Sequence, residues 1–144
     1  VSSAPANIWL ITGGILSVIA ALMHVAIIIG GPDWYRFFGA GEAMAQAAQA
    51  GRLMPTLVTL GIAGMLAIWA AYAFSGAGLI ARLPLLRSGL VLISTIYLLR
   101  ALAVIPMLLR PTEQGNAFWL WSSAIVLIYG LCYAIGTWRA WADL

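Results

Sequence analysis

The chain has no lysine. All seven of its basic residues are arginine, which excludes any chemistry that needs a lysine Schiff base, whether with retinal or with pyridoxal phosphate. In 144 residues there are four acidic side chains, one histidine and one cysteine. A single thiol forms no disulfide within the chain, and Cys132, set in an apolar run, reads as a small buried hydrophobe. A metal site would want ligands at defined spacing, and one histidine with one distant cysteine does not supply it. A bis-histidine haem is impossible within one chain. His24 from two protomers or a His–Met pair could still ligate one, but nothing in the sequence favours it, and no metal and no cofactor is expected. No Gly-rich phosphate loop, nucleophile elbow or zinc-protease helix occurs. No catalytic residue is assigned, and the reading leans away from an enzyme. The net charge of +3 is scattered rather than blocked, which excludes a nucleic-acid surface and a polybasic lipid-binding tail.

What remains is apolar. The chain is 64% hydrophobic and 8% charged, whereas a soluble domain carries roughly a quarter charged residues. Too few polar side chains exist to cover a soluble surface, so composition defines an integral membrane protein whose first partner is the lipid bilayer. The expected fold is all-α: a four-helix transmembrane bundle forming a single domain over residues 1–144. The spans are placed at about residues 8–29, 53–74, 85–109 and 117–138, each long enough for a hydrocarbon core of about 30 Å. The opening Val-Ser-Ser-Ala-Pro-Ala lacks the positive charge of a signal peptide, and the run after it is too long for one. The first run is therefore read as a true span, and the missing initiator Met as a sign that residues precede Val1.

Between the first two spans, Gly30-Gly-Pro-Asp33 ends one helix and offers Asp33 as a cap for the next. Trp34, Tyr35, Phe37 and Phe38 follow, residues typical of a membrane–water interface. Residues 34–50 are read as one or two short interfacial helices, with a polar stripe of Glu42, Gln46 and Gln49 and a stop at Gly51. In the second span Pro55 falls in the first turn, where proline is tolerated. Pro84 is expected at the start of the third span, and Pro106 should kink that span's far end. Trp119, Trp121, Trp138 and Trp141 bracket the fourth span as aromatic belts.

Small residues at four-residue spacing mark packing seams where helix backbones approach. They are Gly13, Ser17 and Ala21 in the first span and Thr59, Ala63, Ala67 and Ala71 in the second, while Ser123, Gly130 and Ala134 give the fourth span a small-residue strip as well.

Arg100 is the one full charge in the interior of a span, Arg87 standing at the edge of the third. A guanidinium at bilayer depth costs about 2.5–3.5 kcal/mol on insertion scales, and such a residue has a partner or a polar cavity. It lies nine residues before Leu109, roughly 13 Å along the helix, and Tyr97 is one turn earlier. Alternating spans bring the end of the first helix, with His24, to the same side as Arg100, and the loops carrying Glu42 and Glu113 to that side as well. Besides a catalytic role, two readings of Arg100 stand. In one it fixes helix arrangement through an ion pair or backbone carbonyls. In the other Arg100, His24, Tyr97 and Glu42 form an outward-facing polar pocket that binds, and could transport, a small anionic or amphipathic ligand. His24 has the same two faces, a hydrogen-bonded packing residue or a proton acceptor. The alternative function is a non-catalytic accessory or structural subunit of a membrane complex. The expected assembly is a homo-oligomer, a dimer first, or a complex with a membrane partner protein, with no nucleic acid. Basic residues divide three against three between the two sides. The short, purely basic middle loop tips the orientation to both termini cytoplasmic, and the expected location is a bacterial inner membrane.

Overall fold

The computed structural model describes residues 5–110 and 116–144. The chain is all-α: α1 (Ile8–Gly30), α2 (Pro32–Phe37), α3 (Glu42–Gln49), α4 (Met54–Gly76), α5 (Leu86–Leu102), α6 (Ile105–Leu109) and α7 (Asn116–Arg139). Four segments are long and apolar enough to cross a membrane, namely Ile8–Gly30, Met54–Gly76, Leu86–Leu109 and Phe118–Arg139. Their ends fall within two residues of the boundaries expected from hydropathy. Shorter helices separate them. Most of their large apolar side chains face outward, Ile29, Leu57, Leu92 and Leu127 among them, as a lipid solvent requires.

The third span is broken where proline predicted it. Helix α5 ends at Leu102, a turn follows at Ala103–Val104, and α6 restarts with Pro106 in its first two positions. Other expectations shift. Pro84 precedes α5 rather than opening it, and exposed Leu85 takes the N-cap in the left-handed region at φ 52°. Asp33 does not cap α2. Gly31 is the N-cap, Pro32 opens the helix, and Asp33 lies in the first turn. Proline's fixed φ and missing N–H suit that first position and move the cap one residue earlier than a polar-cap rule places it. At the end of α3, Gly51 takes φ 72°, and the Arg52 N–H bonds the Ala47 carbonyl at 3.0 Å. That is the glycine stop expected there.

The helices group into two compact units, Val1–Ser17 with Trp69–Leu144, and Val18–Ile68. Both α1 and α4 contribute to each.

In the first unit α5 and α7 pack antiparallel along their length. A Cβ added at Gly130 would come within 2.7 Å of the Leu98 side chain and 3.2 Å of the Leu98 backbone nitrogen, so glycine lets the two backbones close. The start of α1 sits against α7 in the same way, through Gly13 on the Tyr133 ring and Gly136 on Leu10. Asn7 fastens this contact. Its Nδ2 donates to the Gly136 carbonyl at 2.8 Å, and its Oδ1 accepts the Leu10 N–H at 3.2 Å and caps α1.

In the second unit a small core of Ile27, Tyr35 and Ala45 joins α1, α2 and α3, with Phe38, Met44 and Ala48 around it. Buried Thr59 donates to the Pro55 carbonyl at 2.7 Å. Its one proton is thereby used, so Tyr35 donates to Thr59 at 3.0 Å. Ala21 and Ala63 are buried, but Ala67 is exposed. A strict four-residue spacing drifts around a helix of 3.6 residues per turn. The buried line of α4 therefore steps from Ala63 through Leu66 to Ala70 and Ala73.

Candidate functional site

Arg100 lies in the last turn of α5. The partial negative charge at a helix C-terminus favours a cation there by about 0.3–1 kcal/mol, an offset that a mid-helix position would not have. Its Nη1 donates to Ser123 Oγ at 3.3 Å and its Nη2 to Ser122 Oγ at 3.2 Å. The guanidinium carbon stands 4.6 Å from the centroid of the Trp119 ring, a cation–π distance. Ser122 returns its own proton to the Trp119 carbonyl at 3.3 Å. These partners are all neutral. Among the described residues no carboxylate lies in salt-bridge range of Arg100. A guanidinium has five N–H donors, and the described residues engage two of them. The side chain is half-buried, so the remaining donors can be approached from outside the unit.

Tyr97, expected to orient a ligand beside Arg100, turns into the core of the first unit. It is 5% exposed, and its hydroxyl meets Ser17 Oγ at 2.8 Å. Ser17 Oγ also meets the Tyr133 hydroxyl at 2.8 Å, and Tyr133 donates to the Trp69 carbonyl at 2.9 Å. A carbonyl only accepts, which settles the direction throughout: Tyr97 donates to Ser17, Ser17 to Tyr133, and Tyr133 to Trp69. One string of hydroxyls thus ties α5, α1, α7 and α4 at a single level. Trp69 and Tyr129 pack edge-on against the Tyr97 ring at 4.9 and 5.5 Å between centroids.

His24 and Glu42 belong to the second unit. The half-buried His24 donates from Nδ1 to the Ala20 carbonyl at 2.7 Å. Glu42 is engaged locally. Arg36 Nε and Nη2 clasp its two carboxylate oxygens at 2.9 and 3.0 Å, while Nη1 reaches Asp33 at 3.1 Å. The Arg36 hydrogen bonds hold the Glu42 carboxyl below its ordinary 4.5, and Glu42 in turn raises the Arg36 guanidinium. Glu113 lies outside the described residues.

A group whose pKa is lowered in the folded chain stabilises above its unfolded value, and that contribution is lost as pH falls through the folded one. The α2–α3 segment is therefore expected to loosen below pH 4.5. Hydrogen exchange across residues 32–49 should show protection falling with pH in wild type. Glu42→Gln should show less protection at neutral pH and a flatter profile. An unchanged profile would mean that the clasp does not hold the segment.

Reasoning from sequence singled out Arg100 but did not join it to Ser122, to Ser123, read only as a packing residue, or to Trp119, read only as part of an aromatic belt. The signal was the Ser-Ser pair near the start of the fourth span, which an antiparallel hairpin brings level with the end of the third. The hydroxyl string left fainter marks, since serines and tyrosines are common in membrane helices.

Fold and site together define the class: a polytopic helical membrane protein with a half-buried arginine held by neutral groups. Compared with protein-family models, with curated proteins and with solved structures, the chain matches none.

Proposed function

We propose that the protein binds a small anionic or amphipathic ligand at Arg100. One observation carries this reading: a guanidinium deep in a span whose partners, among the described residues, are two hydroxyls and an indole. Neutral partners orient the cation without cancelling its charge, which leaves it to an incoming anion. Ser122 and Ser123 hold the fork, the Trp119 face backs it, and the half-buried setting admits a ligand from the bilayer side. Tyr97 contributes by fixing α5 in place rather than by touching the ligand. His24 and Glu42 remain candidates for proton handling and gating within their own unit.

The test is native mass spectrometry of the gently extracted protein, wild type beside Arg100→Leu and the Ser122→Ala/Ser123→Ala pair. An acidic small molecule retained by wild type should fall at least roughly tenfold in Arg100→Leu, the scale of one lost charge-assisted contact, and by less in the serine variant. Retention in Arg100→Leu would sink the proposal.

A second reading, an accessory subunit, draws on one feature of α4. A Cβ added at Gly61 or Gly64 would meet nothing within 4 Å, and exposed Ala67 continues that side. Such a face lets another helix approach closely, whether from a second copy, a dimer being the first expectation, or from a partner protein. A second chain present in all samples, with no small molecule in any, would favour this reading.

A further inference from the structure

The face of the α5–α7 pair begins, at the end far from Arg100, with Arg87. Arg87, Val91, Thr95 and Leu98 follow one another at helical spacing on α5. The facing line is Ala134, Thr137 and Trp138 on α7, with Trp141 just past its end. Between them runs an open groove of about 570 Å³. Its walls are apolar in effect, because Ser94 and Thr95 return their hydroxyls to the Leu90 and Val91 carbonyls at 2.7 and 2.8 Å. Thr137 breaks that pattern. It is 4% exposed, and its Oγ1 is buried with no hydrogen-bond partner, which is rare enough in a folded protein to need an explanation.

The mouth of the groove is cationic. The Arg87 guanidinium carbon stacks 4.6 Å from the centroid of the Trp141 ring, and its Nη2 donates to the Trp141 carbonyl at 3.0 Å. Among the described residues no carboxylate pairs with it. Trp138, 77% exposed, flanks the groove as an interfacial anchor. From Arg87 to Leu98 the helix rises about 16 Å. One leaflet of a hydrocarbon core of about 30 Å is about 15 Å deep. The lined part of the groove, Val91 to Leu98, covers about 10 Å of that depth, room for much of one leaflet's acyl chain, and Arg87 stands one turn beyond it, where the head group of that chain would lie.

We infer that this groove is a binding site for an anionic phospholipid. One acyl chain lies along Val91, Thr95 and Leu98 against Ala134 and Trp138. The phosphate is held by Arg87 on the Trp141 ring. Thr137, by turning about its Cα–Cβ bond, supplies its spare hydroxyl to the ester carbonyl just below the phosphate. The site is independent of Arg100, which lies thirteen residues along the sequence and about 20 Å away along α5.

The probe is phosphatidylglycerol against phosphatidylcholine of the same chains, added in mixed micelles and read as retained lipid by native mass spectrometry. Wild type should retain phosphatidylglycerol in preference. Arg87→Gln should lower that retention roughly tenfold, as the loss of a charged fork on a phosphate does. Arg139→Gln, an exposed arginine outside the groove, removes the same charge and should change nothing. Val91→Trp, which fills the groove without altering charge, should also lose the lipid. Equal retention of the two lipids by wild type would overturn the inference, as would equal losses in Arg87→Gln and Arg139→Gln. Full retention in Val91→Trp would place the lipid on the arginine alone and overturn the groove.

Discussion

Gly136→Val is expected to destabilise the first unit by about 2–4 kcal/mol. A Cβ at Gly136 would lie 2.6 Å from Leu10 Cγ and 2.9 Å from the Leu10 backbone nitrogen. A leucine tip can turn aside, but a backbone nitrogen within the first turn of α1 moves only if the helix moves. The Gly136 carbonyl also holds Asn7, whose side chain caps α1. Driving α1 away from α7 therefore costs packing, the Asn7 bond and the geometry of the cap together. Gly64→Val is the matched control. Nothing lies within 4 Å of its added Cβ, and its effect should stay within about 0.5 kcal/mol, the difference in helix propensity. Denaturant unfolding in detergent, followed by tryptophan fluorescence, compares the two. Equal effects would mean that α1 does not approach α7 as closely as described.

Ser17→Ala should cost about 2–3 kcal/mol for the loss of one oxygen. Ser17 is fully buried and stands in the middle of the hydroxyl string, accepting from Tyr97 and donating to Tyr133. Removing it strands the Tyr97 proton in a buried site, and an orphaned buried donor costs more than an average hydrogen bond contributes. Tyr97→Phe alone removes one bond but strands no donor, so about 1 kcal/mol is expected. In the Ser17→Ala background, Tyr97→Phe deletes the stranded hydroxyl and should recover stability rather than lose more. The double-mutant cycle should therefore show coupling of about 1 kcal/mol or more. Additive effects would break the string at its first link.

The four spans were legible because a bilayer leaves little choice. A helix must satisfy its own backbone, and some 20 apolar residues suffice to cross. The break at Pro106 and the stop at Gly51 were legible for equally local reasons, a missing N–H and a glycine φ. What depends on rotation was less so. Ala67 shares the four-residue spacing of Ala63 yet faces outward, because composition does not tell which of two neighbouring stripes a partner helix will choose. Arg100 announced itself by charge. Its partners did not, since the level at which Ser122 and Ser123 meet it depends on hairpin register. Tyr97 and Arg100, three residues apart, diverge: one enters the core and the other reaches for α7. The cap of α2 shows a smaller conflict of the same kind, with proline at the first position outranking the polar residue beside it.

The one-way order of Tyr97, Ser17, Tyr133 and the Trp69 carbonyl has an electrical consequence. A chain of hydroxyls conducts protons only if every member can pass one forward and then swing round to receive the next. This string ends on an amide oxygen that has no proton to hand on, so its polarity is frozen and the relay never resets. At the level where it ties the four long helices, the string is therefore an insulator rather than a wire. The bonds that keep the helices in register are the ones that stop a proton from passing along it.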